Sequence, residues 1–193
     1  MLKRVIPYAH TLLKELVQVG DTVIDATCGN GHDTLVLSEC VAETGTVYGF
    51  DIQAQALEET RRRLTVHNQP ERLLIQDSHA NLLDHLKVQD YHNITAAIFN
   101  LGYLPGGDKS IITTPQSTLD AVQVILEHLK KGGLLILVIY HGHEGGSDER
   151  DQLLTYVQSL EQKDYDVLQY GFVNQKNNPP FIIAIEKKRM LIY

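Results

Sequence analysis

Apolar runs of strand length alternate along the chain with segments whose apolar residues recur at helical spacing. The first periodic segment predicts a helix over Tyr8 to Val17, with Leu12, Leu13 and Leu16 on one face. Gly20-Asp21 turns the chain into a strand over Thr22 to Ala26, a glycine loop follows, and a helix then runs through Val41. Further strands are expected at Thr46 to Phe50, Leu73 to Gln76, Thr95 to Phe99 and Leu134 to Tyr140. The last of these is apolar on both faces, as a central parallel strand is. Between them lie helical patterns over Ala54 to His67 and, briefly, Asn81 to Leu86. A longer helix is expected from Pro115, with a stripe of Leu119, Val122, Leu126 and Leu129 and a stop at Gly132. Ser147 is placed to cap a helix carrying Leu153, Leu154, Val157 and Leu160.

Such alternation implies a parallel sheet with crossover helices. The ending breaks it. Val167 to Val173 and Phe181 to Glu186 are strand-like with no helix between them, and only antiparallel strands can be joined by so short a connection. A seven-stranded, mostly parallel sheet finishing in an antiparallel hairpin predicts the Rossmann-like class I methyltransferase layout, an α/β fold, rather than the dinucleotide-binding one. With 193 residues, no internal repeat and no linker, the chain is expected to form one domain over residues 1–193.

Charge narrows the partners. A net charge of −7 excludes a general polyanion binder, so any RNA must meet a local basic patch. Arg61-Arg62-Arg63 is a dense basic run, readable as a solvated helix face or as an RNA grip. Cys28 and Cys40 have no zinc-ligand spacing and read as free thiols of a reducing compartment. No targeting segment or membrane-length apolar run is visible, which makes the cytoplasm the expected location and a membrane an unexpected partner.

The candidate chemistry clusters at the carboxyl ends of the strands, where open α/β sheets bind ligands. Asp25-Ala26-Thr27-Cys28-Gly29-Asn30-Gly31 follows the first strand, and its glycines permit a tight turn and close approach to a ligand. The NAD fingerprint has a third glycine where this chain has Thr34. Asp51, at the end of the second strand, can accept hydrogen bonds from both ribose hydroxyls of an adenosine. Asp33 is either a first-turn aspartate favoured by the helix dipole or a partner for a cationic ligand group. Asp77, Ser78 and His79 end the third strand, as a helix cap, as contacts to an adenine ring, or as both.

The fourth strand opens into Asn100-Leu101-Gly102-Tyr103-Leu104-Pro105-Gly106-Gly107-Asp108-Lys109, a long loop that packing does not explain. Asn100 can fix a nucleophile through its amide, Tyr103 can stack on a flat substrate, and Asp108 and Lys109 supply one charge of each sign. His141 and His143 point the same way on an extended chain, yet no carboxylate or cysteine stands at matching spacing. A substrate-facing polar pair is therefore expected, and no metal. Asn177-Asn178-Pro179-Pro180-Phe181 looks like the Asn-Pro-Pro-aromatic signature of amino-methylating enzymes, which normally follows the fourth strand. Here it falls in the terminal hairpin loop, at the same sheet edge.

Taken together, residues 25–34, Phe50-Asp51-Ile52-Gln53, Phe99 through Lys109, and Tyr140-His141-Gly142-His143 resemble one family. It is that of the bacterial tRNA 5-aminomethyl-2-thiouridine methyltransferases, formerly labelled rRNA methylases. The similarity runs over essentially the whole chain, and Asn100 through Lys109 is its most specific part. Cys28 stands where small residues are common. The resemblance implies S-adenosyl-L-methionine as cofactor, held by Asp25, Thr27, Gly29, Asn30, Gly31, His32, Asp33, Thr34, Asp51, Ile52, Gln53, Asp77, Ser78, His79, Asn100 and Leu101. It implies the tRNA anticodon stem-loop as partner and the 5-aminomethyl group of the wobble uridine as acceptor. Tyr103, Pro105, Gly107, Lys109 and Asn178 are then the expected substrate contacts.

In that reading the amine displaces the methyl group in line, helped mainly by holding nitrogen and methyl about 3 Å apart. The expected catalytic group is Asn100, Tyr103, Asp108, His141 and His143, with Asp108 and the two histidines as candidate proton acceptors. A homodimer is one way for so small a domain to grip tRNA. Other acceptors, in rRNA or a small molecule, and a non-catalytic binding module are the alternatives. Asp33 and Asp51 speak against the module, and Thr34 and the hairpin against an NAD enzyme.

Overall fold

The computed structural model describes residues 1–102, 115–141 and 146–188. Helix α1 is Val5–Leu16, followed by β1 Thr22–Asp25, α2 His32–Val41, β2 Thr46–Asp51, α3 Ala54–Val66 and β3 Leu73–Gln76. A 3-10 turn (His79–Asn81) leads into the short α4, Leu82–His85, and a second such turn covers Val88–Asp90. The chain continues through β4 Ile94–Leu101, α5 Pro115–His128, β5 Leu129–Ile139, α6 Gly146–Gln158, β6 Tyr165–Tyr170 and β7 Phe181–Lys187. The strands form one seven-stranded sheet in the order β3-β2-β1-β4-β5-β7-β6. Strand β7 runs antiparallel between β5 and β6, and all other neighbours are parallel. This is the mostly parallel sheet with a terminal hairpin that the alternation predicted.

Period-two geometry divides each buried strand between two cores. Ala96 and Ile98 of β4 face α1 and α2, together with Val23, Val47, Ile136, Val138 and Ile182. Ala97 and Phe99 face α5 and α6, together with Ile24, Phe50, Leu135, Leu137 and Ile183. Helix α1 starts three residues earlier than the periodicity suggested and buries Val5, Ala9 and Leu13. Pro7 sits in its first turn, where no intrahelical N–H bond is lost. Leu129 leaves the expected α5 stripe and opens β5, where it pairs with Ile94. Regular pairing resumes at Leu134 and Ala96, so Gly132, at φ 75°, serves an irregularity in the strand rather than a helix stop. Ser147 lies inside the first turn of α6, not at its cap. Strand β6 ends at Tyr170, three residues short of the expected limit, and the backbone of Gly171 then lies close to Phe181. Among the described residues no helix is long and apolar enough to cross a membrane.

Two buried cations finish helices whose last carbonyls would otherwise lack donors. Arg72 donates to Ser38 Oγ and to the carbonyls of Ser38, Ala42 and Gly45, closing the end of α2. Lys187 donates to the carbonyls of Leu126 and Glu127 at the end of α5. Burial pushes the Lys187 ammonium down, and its two carbonyl partners compensate for the lost water.

Replacing Arg72 by Met keeps the aliphatic stem and removes every donor. The unfolding free energy is expected to fall by about 2–4 kcal/mol, with only partial recovery in Arg72→Lys, as read from urea denaturation at constant pH.

Candidate functional site

The carboxyl ends of β1, β2 and β4 meet around one buried carboxylate. Asp25 has no exposed surface. Its Oδ1 accepts the N–H of Thr27 at 3.1 Å, and its Oδ2 accepts the Thr34 hydroxyl at 2.5 Å. The Thr27 hydroxyl oxygen in turn accepts the N–H of Asn100 at 2.7 Å, which ties the glycine loop to the end of β4. Burial first, and then the neighbouring Asp33, push the Asp25 carboxyl up to about 7. Asp25 thus shapes the loop from behind.

The loop itself uses left-handed backbone at Gly29 and Gly31. A Cβ on Gly31 would fall 2.7 Å from Thr60 Cα, so α3 presses directly on this turn. Helix α3 also braces the loop with two side chains. The Thr60 hydroxyl donates to the Gly29 carbonyl, and Arg63 Nε donates to the Asn30 carbonyl at 2.6 Å. The basic run therefore divides its roles: Arg62 pairs with Glu59 on the exposed side, whereas Arg63 supports the loop. Cys28 is buried, and its sulfur lies 2.7 Å from where a Cβ on Gly49 would stand.

Asp51 is held at the edge of this cradle. Its two oxygens accept the N–H groups of Gly29 and Gln53, each at 2.9 Å. Each oxygen keeps a lone pair for a further donor. Next to it Ile52 is 41% exposed, an uncovered apolar face beside a carboxylate. Such an arrangement fits an adenosine, with hydroxyl donors on the ribose and a flat apolar ring.

Asp33 is the second acidic group of the cradle, and the structure gives it partners that the sequence did not reveal. His10 Nε2 of α1 lies 2.6 Å from Asp33 Oδ1, and Asn100 Nδ2 donates to Oδ2 at 3.4 Å. Tyr140, at the end of β5, is 37% exposed, and burial followed by the charge of Asp33 pushes its phenol up. His10 was invisible as a site residue because it is a lone polar position on an amphipathic helix. Only the packing of α1 beside α2 brings it to Asp33.

Other expected residues have different surroundings. Asp77 accepts from Asn81 and His85, and these two bonds, His85 first, hold its carboxyl below the usual range. Ser78 caps the turn that follows. His79 is buried, with Nδ1 on the Ala26 carbonyl, its ring edge on Phe99, and Nε2 without a partner among the described residues. Burial lowers its pKa, so it stays neutral and offers that nitrogen as an acceptor. His32 is exposed in the first turn of α2, and Leu101 is buried at the end of β4, its carbonyl accepting the Tyr140 N–H. His141 turns toward Phe181 and lines a groove of about 590 Å³ with Arg150, Leu154 and Pro179. Asn178 is exposed in the hairpin loop, at φ 50°. Tyr103, Pro105, Gly107, Asp108, Lys109 and His143 lie outside the described residues.

Comparison with known proteins gives this geometry a context. Residues 47–186 match a family described as "Putative rRNA methylase". The chain is 35% identical over 195 residues to the chloroplastic tRNA (mnm(5)s(2)U34)-methyltransferase of Arabidopsis thaliana, covering 96% of this chain and 70% of that protein. A "putative rRNA-methylase" from Clostridium thermocellum superposes with a TM-score of 0.92 at 41% identity, over 97% of this chain and 99% of that one. A "putative methyltransferase" from Streptococcus mutans in complex with SAH does so with a TM-score of 0.88 at 42% identity, over 97% and 99%.

The buried carboxyl makes a pH prediction. Asp25 is raised in the folded state, so its favourable contribution is complete below the unfolded carboxyl pKa and is lost as pH rises to about 7. Asp25→Asn keeps an acceptor for Thr27 and cannot ionise. The stability difference between Asp25→Asn and the parent protein is expected to shift toward the variant from about pH 4 to pH 7, and then to level off. Denaturant titrations across that range measure it.

Proposed function

The chain belongs to this methylase family and is an S-adenosylmethionine-dependent methyltransferase, and from that premise we propose that it methylates an amine on tRNA. The acceptor in this reading is the 5-aminomethyl group of 5-aminomethyl-2-thiouridine at the wobble position, and the product is the 5-methylaminomethyl base. The observation that carries the acceptor is the likeness, over 96% of the chain, to a plant protein named for that wobble position.

When bound, S-adenosylmethionine supplies an electrophilic methyl group on a sulfonium. Asp51 would hold its ribose hydroxyls, Ile52 the adenine face, and Asp33 its cationic amino-acid end. The orphan Nε2 of His79 is placed to accept from a buried N–H donor. Asn100 spends its amide N–H on Asp33, which leaves its carbonyl oxygen to orient the attacking amine. Only the neutral amine is a nucleophile, so the site must take up a proton. His10 is the described imidazole in contact with Asp33 and fills that role; Tyr140, with its phenol pushed up, remains a donor.

The decisive assay incubates the enzyme with labelled S-adenosylmethionine and tRNA from cells lacking this gene, followed by nucleoside mass spectrometry. Conversion of 5-aminomethyl-2-thiouridine to its methylated form is expected; absence of label in tRNA, with donor binding intact, would overturn the acceptor. Asp51→Ala should weaken S-adenosylhomocysteine binding by about tenfold or more in calorimetry, since a charged hydrogen-bonding partner is lost. His10→Ala should lower kcat near neutral pH by about 10²-fold or more and recover as alkaline buffer deprotonates the amine. A loss independent of pH would remove His10 from proton transfer.

A further inference from the structure

Among the acid-free stretches of the chain are residues 1–14, with Lys3, Arg4 and Lys14, and residues 167–185, with Lys176. All 24 carboxylates of this chain of net charge −7 lie elsewhere. The fold brings the two stretches together. Tyr8 of α1 stacks on Tyr170 at the end of β6, with ring centroids 4.0 Å apart, and the Tyr170 hydroxyl donates to the Lys3 carbonyl at 2.6 Å. Phe172 meets Tyr170 edge-on.

An open groove of about 440 Å³ runs along this junction, lined by Arg4, Ile6, Pro7, Tyr140, Phe172 and Pro180. Its size lies within the roughly 300–1,000 Å³ of ordinary ligand clefts. Its walls are rings and aliphatic surface, and Arg4 is the charged residue of its lining. Among the described residues no carboxylate pairs with Arg4 or Lys176. Tyr140 lines this groove and also feels the charge of Asp33, so the groove and the proposed acceptor site share a residue.

Flat side chains beside unpaired cations form the surface that single-stranded nucleic acid recognises, because every base has a stacking face and every nucleotide a phosphate. We infer that this groove is a second RNA subsite, which takes an unstacked nucleotide flanking the acceptor nucleoside, its base against Tyr140, Phe172 and Pro180 and its phosphate against Arg4. The inference rests on the reading that the acceptor is carried by RNA. It also bears on how a protein of net negative charge holds a polyanion: the two segments that form this junction carry no carboxylate of their own.

The test uses the full chain, saturated with S-adenosylhomocysteine, and an anticodon stem-loop RNA carrying 5-aminomethyl-2-thiouridine, with binding read by fluorescence anisotropy across a salt series. Arg4→Ala is expected to raise Kd about tenfold at low salt and to flatten the log–log salt slope by about 0.7, the loss of one single-strand phosphate contact. Phe172→Ala is expected to raise Kd about tenfold with the slope unchanged, and Phe172→Tyr to restore it. Unaltered affinity in both alanine variants, against a parent protein that binds the RNA, would overturn the subsite and leave the acceptor standing. A change in sedimentation of Phe172→Ala, with RNA affinity lost only through dissociation of a dimer, would make the groove a protein interface and overturn it too. A parent protein that neither binds nor methylates the stem-loop would overturn the acceptor reading and the subsite together.

Discussion

The site depends on a carboxylate that never meets solvent. Asp25 closes β1 with both oxygens engaged, one by the backbone of Thr27 and one by the hydroxyl of Thr34. Through Thr27 it reaches the backbone of Asn100 and so fixes the end of β4. Through Thr34 it sets the first turn of α2, which aims Asp33. The buried polar group is tolerable because each of its oxygens is satisfied. An apolar residue of similar size would fill the space but leave the Thr27 N–H and the Thr34 hydroxyl without partners.

Three carboxylates, Asp25, Asp33 and Asp51, surround one seven-residue turn, and they coexist by different means. Asp25 holds its proton toward neutrality because burial and Asp33 oppose its ionisation. Asp51 is met by two backbone N–H groups. Asp33 is met by an imidazole and an amide, groups that can adjust to a change in its charge. The resulting field favours a ligand that brings a cationic end, as the sulfonium donor does.

The sheet was legible because its signal is periodic and redundant. Leu73 to Gln76 matched to the residue, and the hairpin followed from the missing helix between the last two apolar runs. Boundaries slipped where tertiary pairing overrode local pattern, as when Leu129 exchanged a helix stripe for a strand opposite Ile94. The glycine loop and Asp51 were readable because their spacing along the chain carries the geometry. His10 and Arg63 were not, since their partners stand 23 and 33 residues away and nothing local marks them. Asp77 shows a further kind of hidden partnership: its carboxylate accepts from Asn81 and His85, which the sequence did not single out.

The thiol of Cys28 and the bare backbone of Gly49 occupy one small volume between β2 and the glycine loop. These two positions therefore cannot drift independently. A chain that kept a side chain as large as cysteine at the first would be bound to glycine at the second, while one that shrank the first to alanine or glycine would free the second to vary once Leu74, whose Cδ2 lies 2.8 Å from the added Cβ, also moved aside. Among descendants of a common ancestor the constraint would leave its trace as a correlated pair rather than as two invariant columns. Grafting this loop between homologues would succeed or fail on whether both members travelled together.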